Sequence, residues 1–346
     1  MDYLISVIIP VFNCEQYLNQ SIRSLLNQTI FDKIEFIFVD DGSRDRSYEI
    51  LRTYKDKYDN FVLLHQENKG VSAARNKGID FATGNYITFF DADDIAESTL
   101  YEELISLLYK NNADLSCVNY VKCFSDGVRK VQKEKVNEIY CDSEVLKSFF
   151  LSNVLCNNTI DKLFNLSIVG NLRFPEGYTI GEDMYFVFMY LLKCKKIAVN
   201  TTKTLYQYNI RNNSAMKSEF SEKYFDSVDL AKKMMNCVPI DSDDYLLAEA
   251  NWIHEMCKTM GLYYKRKTEK NYQKIDEYKK YTKEYSLTKA YKYLNKKHFI
   301  ALILMRLNPN IYIYIRETTY RIISEFITLY KNYKFIKNER RNTIDE

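Results

Sequence analysis

Two stretches of the sequence decide the fold: residues 34–43, IEFIFVDDGS, and residues 86–94, YITFFDADD. Each stretch begins as a short apolar run rich in β-branched and aromatic residues, a composition typical of a buried strand. Each run then ends directly in acidic residues. The sequence therefore predicts two buried strands that carry carboxylates at their carboxyl ends.

The regions around these two stretches alternate between strand and helix patterns. Residues 5–10 and 61–65 read as further strands, and apolar residues at helical spacing predict helices over about 17–26, 47–58 and from residue 70 onward. This alternation predicts an α/β fold in which parallel strands are joined by crossover helices. Ligands of such open sheets bind at the carboxyl ends of the strands. Both acidic stretches therefore lie where a site is expected.

The second half of the chain has a different pattern. Residues 143–194 read as mostly helical, with a turn at 174–177, and residues 196–208 read as strands. After about residue 218 the sequence is helical, rich in Lys and Tyr and nearly free of Gly. We expect a domain boundary near residue 215.

The composition of the 346 residues excludes several classes of protein. A net charge of only +3 gives no general case for nucleic-acid binding, and the eight cysteines lack zinc-ligand spacing. We interpret the cysteines as reduced thiols, which suits the cytoplasm. The first residues do not resemble a signal peptide, and no apolar run reaches the roughly 18 residues that a membrane-spanning helix needs. We therefore expect a cytoplasmic protein.

The acidic residues of the second stretch have the spacing of a metal site. Asp91 and Asp93 flank Ala92, and alternate residues of an extended segment point the same way. Two carboxylates that face one volume repel each other unless a cation lies between them. Mg²⁺ and Mn²⁺ take oxygen ligands and bridge to phosphates. The alternative is a solvated acidic turn in which Asp94 is the N-cap of the following helix.

The acidic pair of the first stretch, Asp40 and Asp41, precedes Gly42, which frees the backbone to turn. A carboxylate at this position can accept the N–H of a uracil ring. The alternative is a turn with no ligand, for which Asp-Asp-Gly-Ser is well suited.

A single arginine follows Gly70 in the first turns of a predicted helix. Arg75 suits a phosphate or an acidic partner there. The alternatives are a surface arginine, or one that braces Asp91 or Asp93.

A second pair of carboxylates, Glu182 and Asp183, precedes the apolar helical run at 184–188. Carboxylates in the first turn of a helix are stabilised by the helix dipole. We expect this effect to lower their pKa values, so that a base here would be ionised at neutral pH. The alternative is that both residues only cap the helix.

Taken together, these motifs resemble the family 2 glycosyltransferases of the GT-A fold, over about residues 4–216. Single motifs of this kind are weak, whereas their order and spacing along one chain are specific. The matching segments are residues 7–13 (VIIPVFN), 39–43 (VDDGS), 70–76 (GVSAARN), 90–94 (FDADD), 161–164 (DKLF), 174–177 (FPEG), 181–183 (GED) and 206–214 (YQYNIRNNS).

The resemblance implies a fold, a reaction and a cofactor. The fold would be α/β, a GT-A Rossmann-like domain over residues 1–215 followed by an α-helical region over 216–346. The reaction would transfer a sugar from a nucleotide-diphospho-sugar, usually a UDP-sugar, with inversion at the anomeric carbon and with Mn²⁺ or Mg²⁺. The acceptor would be a hydroxyl of a glycan or lipid-linked oligosaccharide in surface polysaccharide or capsule biosynthesis.

The resemblance also implies roles for single residues. Asp183, next to Glu182, would be the catalytic base. Asp93 would bind the metal, and Asp91 would support the metal and the ribose or sugar. Lys162 would lie near the acceptor. The residues implied for the donor nucleotide are Pro10, Val11, Asn13, Asp40, Asp41, Arg75, Asp91, Ala92, Arg211 and Ser214.

The sequence departs from the family pattern at two points. Some relatives place a histidine metal ligand in the later region, but this chain has none between His65 and His254. We therefore expect the metal to depend on Asp93, the diphosphate and water. Asp161 also stands where relatives often carry Asn or Cys, which leaves the acceptor contacts there open.

Two other functions compete with an active transferase. A catalytically inactive sugar-nucleotide-binding or scaffolding protein could share the fold. Loss of activity should have been accompanied by replacement of at least one carboxylate of the site. The sequence retains all four, namely Asp40, Asp91, Asp93 and Asp183. A nucleotidyltransferase would need a Gly-rich phosphate loop near the N-terminus, and the sequence has none.

The helical region at 216–346 has three candidate roles: membrane association, acceptor binding and oligomerisation. Its basic, Tyr-rich helices suit peripheral binding to an anionic membrane surface, such as the inner face of the cell membrane. The alternative is packing against the catalytic domain or against a second subunit in a homo-oligomer.

Overall fold

The computed structural model describes residues 3–152, 154–155, 157–210, 220–240, 242–266, 271–315 and 318. The chain divides into two compact units, Met1–Trp252 and Ile253–Glu346. The boundary expected near residue 215 falls outside the described residues, and the division of the structure lies later. The first helix of the helical region explains this difference, because Ala231 and Met234 pack in the same apolar cluster as Ile197 of the sheet.

The first unit is built on one mixed sheet, which has ten strands among the described residues. The spatial order of the strands is β3-β2-β1-β4-β9-β6-β10-β5, with β7 beside β6 and β8 beside β10. The strands are β1 (Ile5–Val11), β2 (Ile34–Asp40), β3 (Phe61–His65), β4 (Tyr86–Phe89), β5 (Ile95–Ala96), β6 (Leu115–Phe124), β7 (Arg129–Val131), β8 (Asn137–Cys141), β9 (Lys162–Asn165) and β10 (Lys196–Ile210).

The helices begin as the alternating pattern predicts, with one after each of β1, β2 and β3. Those of the first unit are α1 (Glu15–Leu26), α2 (Ser47–Lys55), α3 (Val71–Phe81), α4 (Leu100–Asn111), α5 (Ser143–Leu151), α6 (Leu166–Val169), α7 (Glu182–Leu191) and α8 (Tyr224–Asn236). The unit boundary lies within α9 (Asp243–Arg266). The remaining helices are α10 (Tyr272–Glu284), α11 (Leu287–Tyr293) and α12 (Lys296–Leu307).

Strand β1 lies between β2 and β4 in the parallel part of the sheet. It pairs in parallel with β2, where Val11 is opposite Asp40, and with β4, where Ile8 is opposite Phe89. Alternate residues of β1 enter two apolar clusters: Ile9 belongs to one and Ile8 to the other. Because both faces of this strand are covered, its sequence is continuously apolar rather than alternating.

Helix α3 approaches β1 very closely at Gly78. A Cβ atom on Gly78 would lie 2.4 Å from Cγ2 of Ile8, so only glycine allows this packing. The close packing fixes α3, and with it Arg75, relative to the carboxyl end of β1.

The far half of the sheet differs from the sequence prediction. The stretch read as mostly helical contains β9, which runs antiparallel between β4 and β6. Strand β10 pairs in parallel with β6, but its register shifts between Asn200 and Tyr206. After the shift, Tyr206 pairs with Ala96 of β5. This arrangement brings the end of β10 to the acidic loop that follows β4.

In the second unit, the described helices pack around a small apolar core that includes Ile275, Leu302 and Met305. Nε of Arg306 donates to the carbonyl oxygen of Thr282 at 2.7 Å and so ties α12 to α10. None of the helices that the structure describes has both the length and the apolar character needed to span a membrane.

Candidate active site

A cleft opens at the carboxyl ends of β1, β2 and β4 and has a cavity volume of about 460 Å³. It brings together six of the residues predicted for the site, namely Pro10, Val11, Asp41, Asp91, Ala92 and Asp93. Its other lining residues are Phe12, Cys14, Asn68, Gly70, Val71, Tyr208 and Asn209. The structure thus confirms that the two acidic stretches meet at one edge of the sheet.

The loop at residues 91–94 turns tightly after β4. The amide of Asp94 donates to the carbonyl oxygen of Asp91 at 3.0 Å. Asp94 is completely buried and does not cap a helix, since β5 follows it and α4 begins only at Leu100. The alternative in which Asp94 is the N-cap of the following helix is therefore wrong.

The buried carboxylate of Asp94 binds two residues of β10. Oδ2 accepts a hydrogen bond from the Tyr206 hydroxyl at 2.7 Å, and Oδ1 accepts one from the Asn209 amide at 2.8 Å. Burial raises the pKa of Asp94 well above its usual range, and the charges of Asp91 and Asp93 raise it further. The sequence interpretation gave Tyr206 and Asn209 no role, although both lie in the matching segment 206–214.

Arg75 joins three carboxylates beside the cleft. Nη1 lies 2.8 Å from Oδ1 of Asp183 and 3.4 Å from Oε1 of Glu182, and Nη2 lies 3.4 Å from Oδ1 of Asp91. The guanidinium carbon also lies 5.2 Å from the centroid of the Phe174 ring. Only 5% of the Arg75 side chain is exposed. Arg75 therefore braces Asp91, as one of the alternatives predicted, and is not available to contact a phosphate.

Asp183 and Glu182 begin α7, directly after Gly181 in a left-handed conformation at φ 97°. Burial raises the pKa of Asp183 to about 7; Arg75 opposes this shift, whereas Glu182 and Asp91 add to it. Burial also raises the pKa of Glu182. The expected lowering by the helix N-terminus is therefore wrong, because loss of solvent outweighs it. A carboxylate with a pKa near neutrality is well matched to accepting a proton.

The two acidic residues after β2 have different surroundings. Asp40 is fully buried, and its Oδ2 lies 2.7 Å from Nδ1 of His65. Asp41 lines the cleft, but its carboxylate already accepts hydrogen bonds from the amides of Lys69 and Gly70 at 2.8 and 2.9 Å. Of the two, only Asp41 lines the cleft, and it also holds the loop before α3.

One further predicted residue that the structure describes, Asn13, does not line the cleft. Asn13 is exposed in a left-handed conformation, and its Oδ1 accepts a hydrogen bond from the amide of Arg44 at 2.8 Å. It shapes the turn after β1 rather than lining the cleft. Arg211 and Ser214 lie outside the described residues.

Lys162 is completely buried on β9, between β4 and β6. Its Nζ lies 2.7 Å from Oδ1 of Asp161, and Nζ of Lys133 lies 2.7 Å from Oδ2 of the same carboxylate. A direct contact between Lys162 and an acceptor therefore disagrees with the geometry. The sequence showed the unusual Asp161 but could not show that the strand is internal.

The carboxylates of the cleft suit a hard divalent cation whose coordination shell is completed by a bound phosphate group and water. Among the residues that the structure describes, no group of three or more His, Cys, Asp or Glu is arranged to hold a metal ion. Asp91 and Asp93 nevertheless supply carboxylate oxygens to one cavity. Mg²⁺ is commonly bound through one or two carboxylates together with substrate phosphates and water. The two aspartates fit that pattern.

Comparison with known proteins identifies a family model and related sequences. Residues 6–168 match the family model described as glycosyl transferase family 2. Glycosyltransferase GlyG of Streptococcus pneumoniae is 31% identical over 254 residues, which cover 69% of this chain and 82% of that protein. Minor teichoic acid biosynthesis protein GgaB of Bacillus subtilis is 30% identical over 64% of this chain. The matched part spans only 25% of GgaB, and a match to glycosyltransferase GlyA of S. pneumoniae spans 33% of that protein.

Solved structures share the fold. TarS 1–349 of S. aureus, in complex with UDP-GlcNAc, superposes with a TM-score of 0.65 at 18% identity and 92% coverage of both chains. The mannosyltransferase PcManGT from Pyrobaculum calidifontis, in complex with GDP-Man and Mn²⁺, gives 0.53 at 13% identity, covering 88% of this chain and 87% of that one. The expected Rossmann-like GT-A domain with a helical C-terminal region is confirmed.

Proposed function

The chain belongs to the family 2 glycosyltransferases, and we propose that it transfers a sugar from a nucleotide-diphospho-sugar to a hydroxyl of a glycan or lipid-linked acceptor. The observation that carries this proposal is the contact of one guanidinium group, that of Arg75, with both Asp91 in the cleft and Asp183 beside it. A donor-side carboxylate and a candidate base are thereby held in one place. GgaB, named for minor teichoic acid biosynthesis, supports a cell-surface glycan as the product.

The donor nucleotide would occupy the cleft between the end of β1 and the acidic loop. Pro10, Val11 and Asp41 line the end at which a base would lie. The nucleotides in the TarS and PcManGT structures support a nucleotide-sugar as the ligand class. We favour a UDP-sugar because a carboxylate such as Asp41 can accept the ring N–H of uracil, which cytosine lacks, and because the TarS structure holds UDP-GlcNAc.

Asp93 would be the main metal ligand, with Asp91 beside it. Asp91, Glu182 and Asp183 surround the single charge of Arg75, so the local charge is negative and attracts a cation. When bound, Mn²⁺ or Mg²⁺ would neutralise the charge that develops on the diphosphate leaving group. The chain's own part is to hold two carboxylates ready at the edge of the sheet.

Asp183 would accept the proton of the attacking hydroxyl. Its raised pKa suits a base that works near neutral pH, and Arg75 fixes the direction of its carboxylate. Attack on the face opposite the diphosphate inverts the anomeric carbon in a single displacement. Glu182, which is also bound to Arg75, would support this arrangement rather than take the proton.

The second unit offers a surface for an anionic membrane, where a lipid-linked acceptor would lie. Residues 285–315 contain no Asp or Glu but five basic residues, Lys289, Lys292, Lys296, Lys297 and Arg306. Apolar side chains are exposed in the same stretch, among them Ile300, Leu307 and Tyr314 at 56%, 72% and 71%. This combination is typical of a surface that binds the membrane interface. A second copy of the chain is the alternative partner.

A donor screen tests the proposed function most directly. UDP-, GDP- and CMP-sugars would be compared by thermal stabilisation and by hydrolysis, each with and without Mn²⁺. We expect UDP-sugars with Mn²⁺ to raise the Tm of the wild type and of the exposed-site control Asp32→Asn, but not that of Asp93→Asn.

Each other outcome of the screen has a defined meaning. Stabilisation by GDP- or CMP-sugars alone would overturn the uracil assignment. Stabilisation without any turnover, across acceptors that include lipid-linked oligosaccharides, would favour the inactive sugar-nucleotide-binding protein. No response to any nucleotide would contradict the proposal.

A further inference from the structure

We propose that Tyr206 and Asn209 are positioning residues of the donor site, which hold the loop at residues 91–94 from the neighbouring strand β10. This inference rests on the proposed function, because it assumes that the loop holds a metal and a nucleotide. It concerns residues that do not themselves supply the metal ligands.

The Tyr206 hydroxyl makes two hydrogen bonds to the loop. It donates to Oδ2 of Asp94 at 2.7 Å and accepts from the backbone amide of Asp91 at 3.2 Å. Tyr206 is fully buried, and its ring packs edge-on against Phe90 at a centroid distance of 5.5 Å. One side chain therefore binds the loop at its first and last residues.

Asn209 makes two more contacts with the same loop. Its backbone amide donates to Oδ1 of Asp94 at 2.8 Å, and its Nδ2 donates to the carbonyl oxygen of Asp93 at 2.7 Å. Both oxygens of Asp94 are thus bound by β10, and so is the backbone of Asp93. The backbone of the loop is fixed while the side chains of Asp91 and Asp93 line the cleft.

An irregularity of β10 makes these contacts geometrically accessible. The pairing with β6 shifts register twice, between Asn200 and Thr204 and again between Thr204 and Tyr206. Such irregularities re-aim the side chains that follow them. Beyond the shift, Tyr206 pairs with Ala96 of β5, two residues after Asp94. The loop that precedes β5 therefore lies next to the Tyr206 hydroxyl.

Electrostatic repulsion explains why the loop needs this support. The carboxylates of Asp91 and Asp93 both line the cleft, and without a cation their mutual repulsion favours a more open conformation of the loop. The hydroxyl acts as donor and acceptor at once, and phenylalanine can replace neither function. Substitution of residues that orient metal ligands typically lowers metal affinity or activity by about 10–100-fold.

The test compares Tyr206→Phe with Tyr190→Phe, a matched control in the same unit. The buried Tyr190 hydroxyl also has two partners: it donates to the backbone carbonyl of Asp114 at 2.6 Å and accepts from the amide of Asn165 at 3.0 Å. Both variants thus lose one buried hydroxyl with two partners, but only Tyr206 touches the loop. Asn209→Ala, which removes the bond to the Asp93 carbonyl and keeps the backbone bond to Asp94, serves as a second and milder variant.

Three measurements would be made on the full chain. Hydrogen exchange of the Asp91 amide would report on the loop without any ligand. Calorimetry with UDP and Mn²⁺ would give nucleotide affinity and the dependence on metal. Steady-state kinetics would separate donor KM from kcat at saturating Mn²⁺.

For Tyr206→Phe we expect faster exchange at Asp91, affinity for UDP with Mn²⁺ lowered by about 10–100-fold, a raised donor KM and a nearly unchanged kcat at saturation. Asn209→Ala should move the same quantities by less, and Tyr190→Phe should move none of them. Equal behaviour of Tyr206→Phe and Tyr190→Phe would overturn the proposal. If the wild type itself bound no nucleotide with Mn²⁺, the proposed function would fail, and hydrogen exchange at Asp91 would still decide whether Tyr206 fixes the loop.

Discussion

Nη1 of Arg75 lies 2.8 Å from Oδ1 of Asp183, so a buried cation directly contacts the candidate base. Arg75 lowers the pKa of Asp183, yet burial outweighs this effect, and the resulting pKa of about 7 lies far above the usual 3.8. The same guanidinium group reaches Asp91 at 3.4 Å. The donor side and the base are therefore coupled through one residue, which leads to the following predictions.

Asp183→Asn should abolish sugar transfer while leaving donor binding intact. An amide cannot accept the hydroxyl proton, and loss of a general base typically lowers the rate by about 10²–10⁴-fold. Transfer assays and UDP calorimetry would be run on this variant and on Glu182→Gln, the neighbouring control, which should retain more activity. Undiminished turnover by Asp183→Asn would disprove the assignment of the base.

The rate of transfer should rise with pH through about 7, because only the ionised form of Asp183 accepts a proton. The effect of this group on stability should have the opposite sign. Its folded pKa is raised above the usual 3.8, so the folded state binds more protons between these values, and stability falls as pH rises from about 4 to about 7. Urea unfolding across this range should show the decline in the wild type and a weaker one in Asp183→Asn. Identical slopes would contradict the raised pKa.

Arg75→Lys should move the pH–rate profile to higher pH. The compact ammonium group of lysine cannot bridge Asp91 and Asp183 at once, so Asp183 loses part of the charge that lowers its pKa. Loss of these buried contacts should also cost about 1–3 kcal/mol of stability. The control is Arg173→Lys, whose partner Asp80 lies at the surface and whose change should cost at most about 1 kcal/mol. An unshifted profile for Arg75→Lys would show that Arg75 does not tune the base.

Lys296→Glu combined with Lys297→Glu should reduce flotation of the full chain with vesicles that contain anionic lipid. Each basic residue near such a surface contributes about 1 kcal/mol, so reversing two charges should cost at least tenfold in binding. The matched control reverses Lys280 and Lys283, which are exposed on α10 next to Glu284. Wild-type binding should also weaken with added salt.

Two results would reject the membrane surface. One is equal flotation of the two double variants. The other is a wild type that does not bind vesicles but is a dimer by light scattering. That result would indicate that the exposed apolar residues contact a second copy of the chain.

Much of the site could be predicted because its motifs are local. The apolar runs at 34–39 and 86–90 determine buried strands, and the strand–helix alternation determines parallel pairing. Since parallel strands end at the same edge, the sequence alone placed Asp41, Asp91 and Asp93 in one cleft. Their order along the chain also indicated the family correctly.

Other features could not be predicted, because they depend on contacts between residues far apart in sequence. The position of Asp183 at the start of a helix indicated a lowered pKa. Burial raises this pKa instead, because the carboxylate loses solvent. The internal position of β9 decided that Lys162 is buried against Asp161 instead of facing an acceptor. No local pattern reports how much solvent a carboxylate or an ammonium group retains.

The sequence by itself determined the first four strands, the acidic residues that follow two of them and therefore the edge of the sheet where a ligand is expected. Only the tertiary structure decided which side chains line the cleft and which ones contact the loop behind it. Tyr206 lies far along the chain from Asp91 and Asp94, and a register shift in β10 brings its hydroxyl to both. Register depends on the packing of the whole sheet, and for that physical reason the support of this site is visible only in three dimensions.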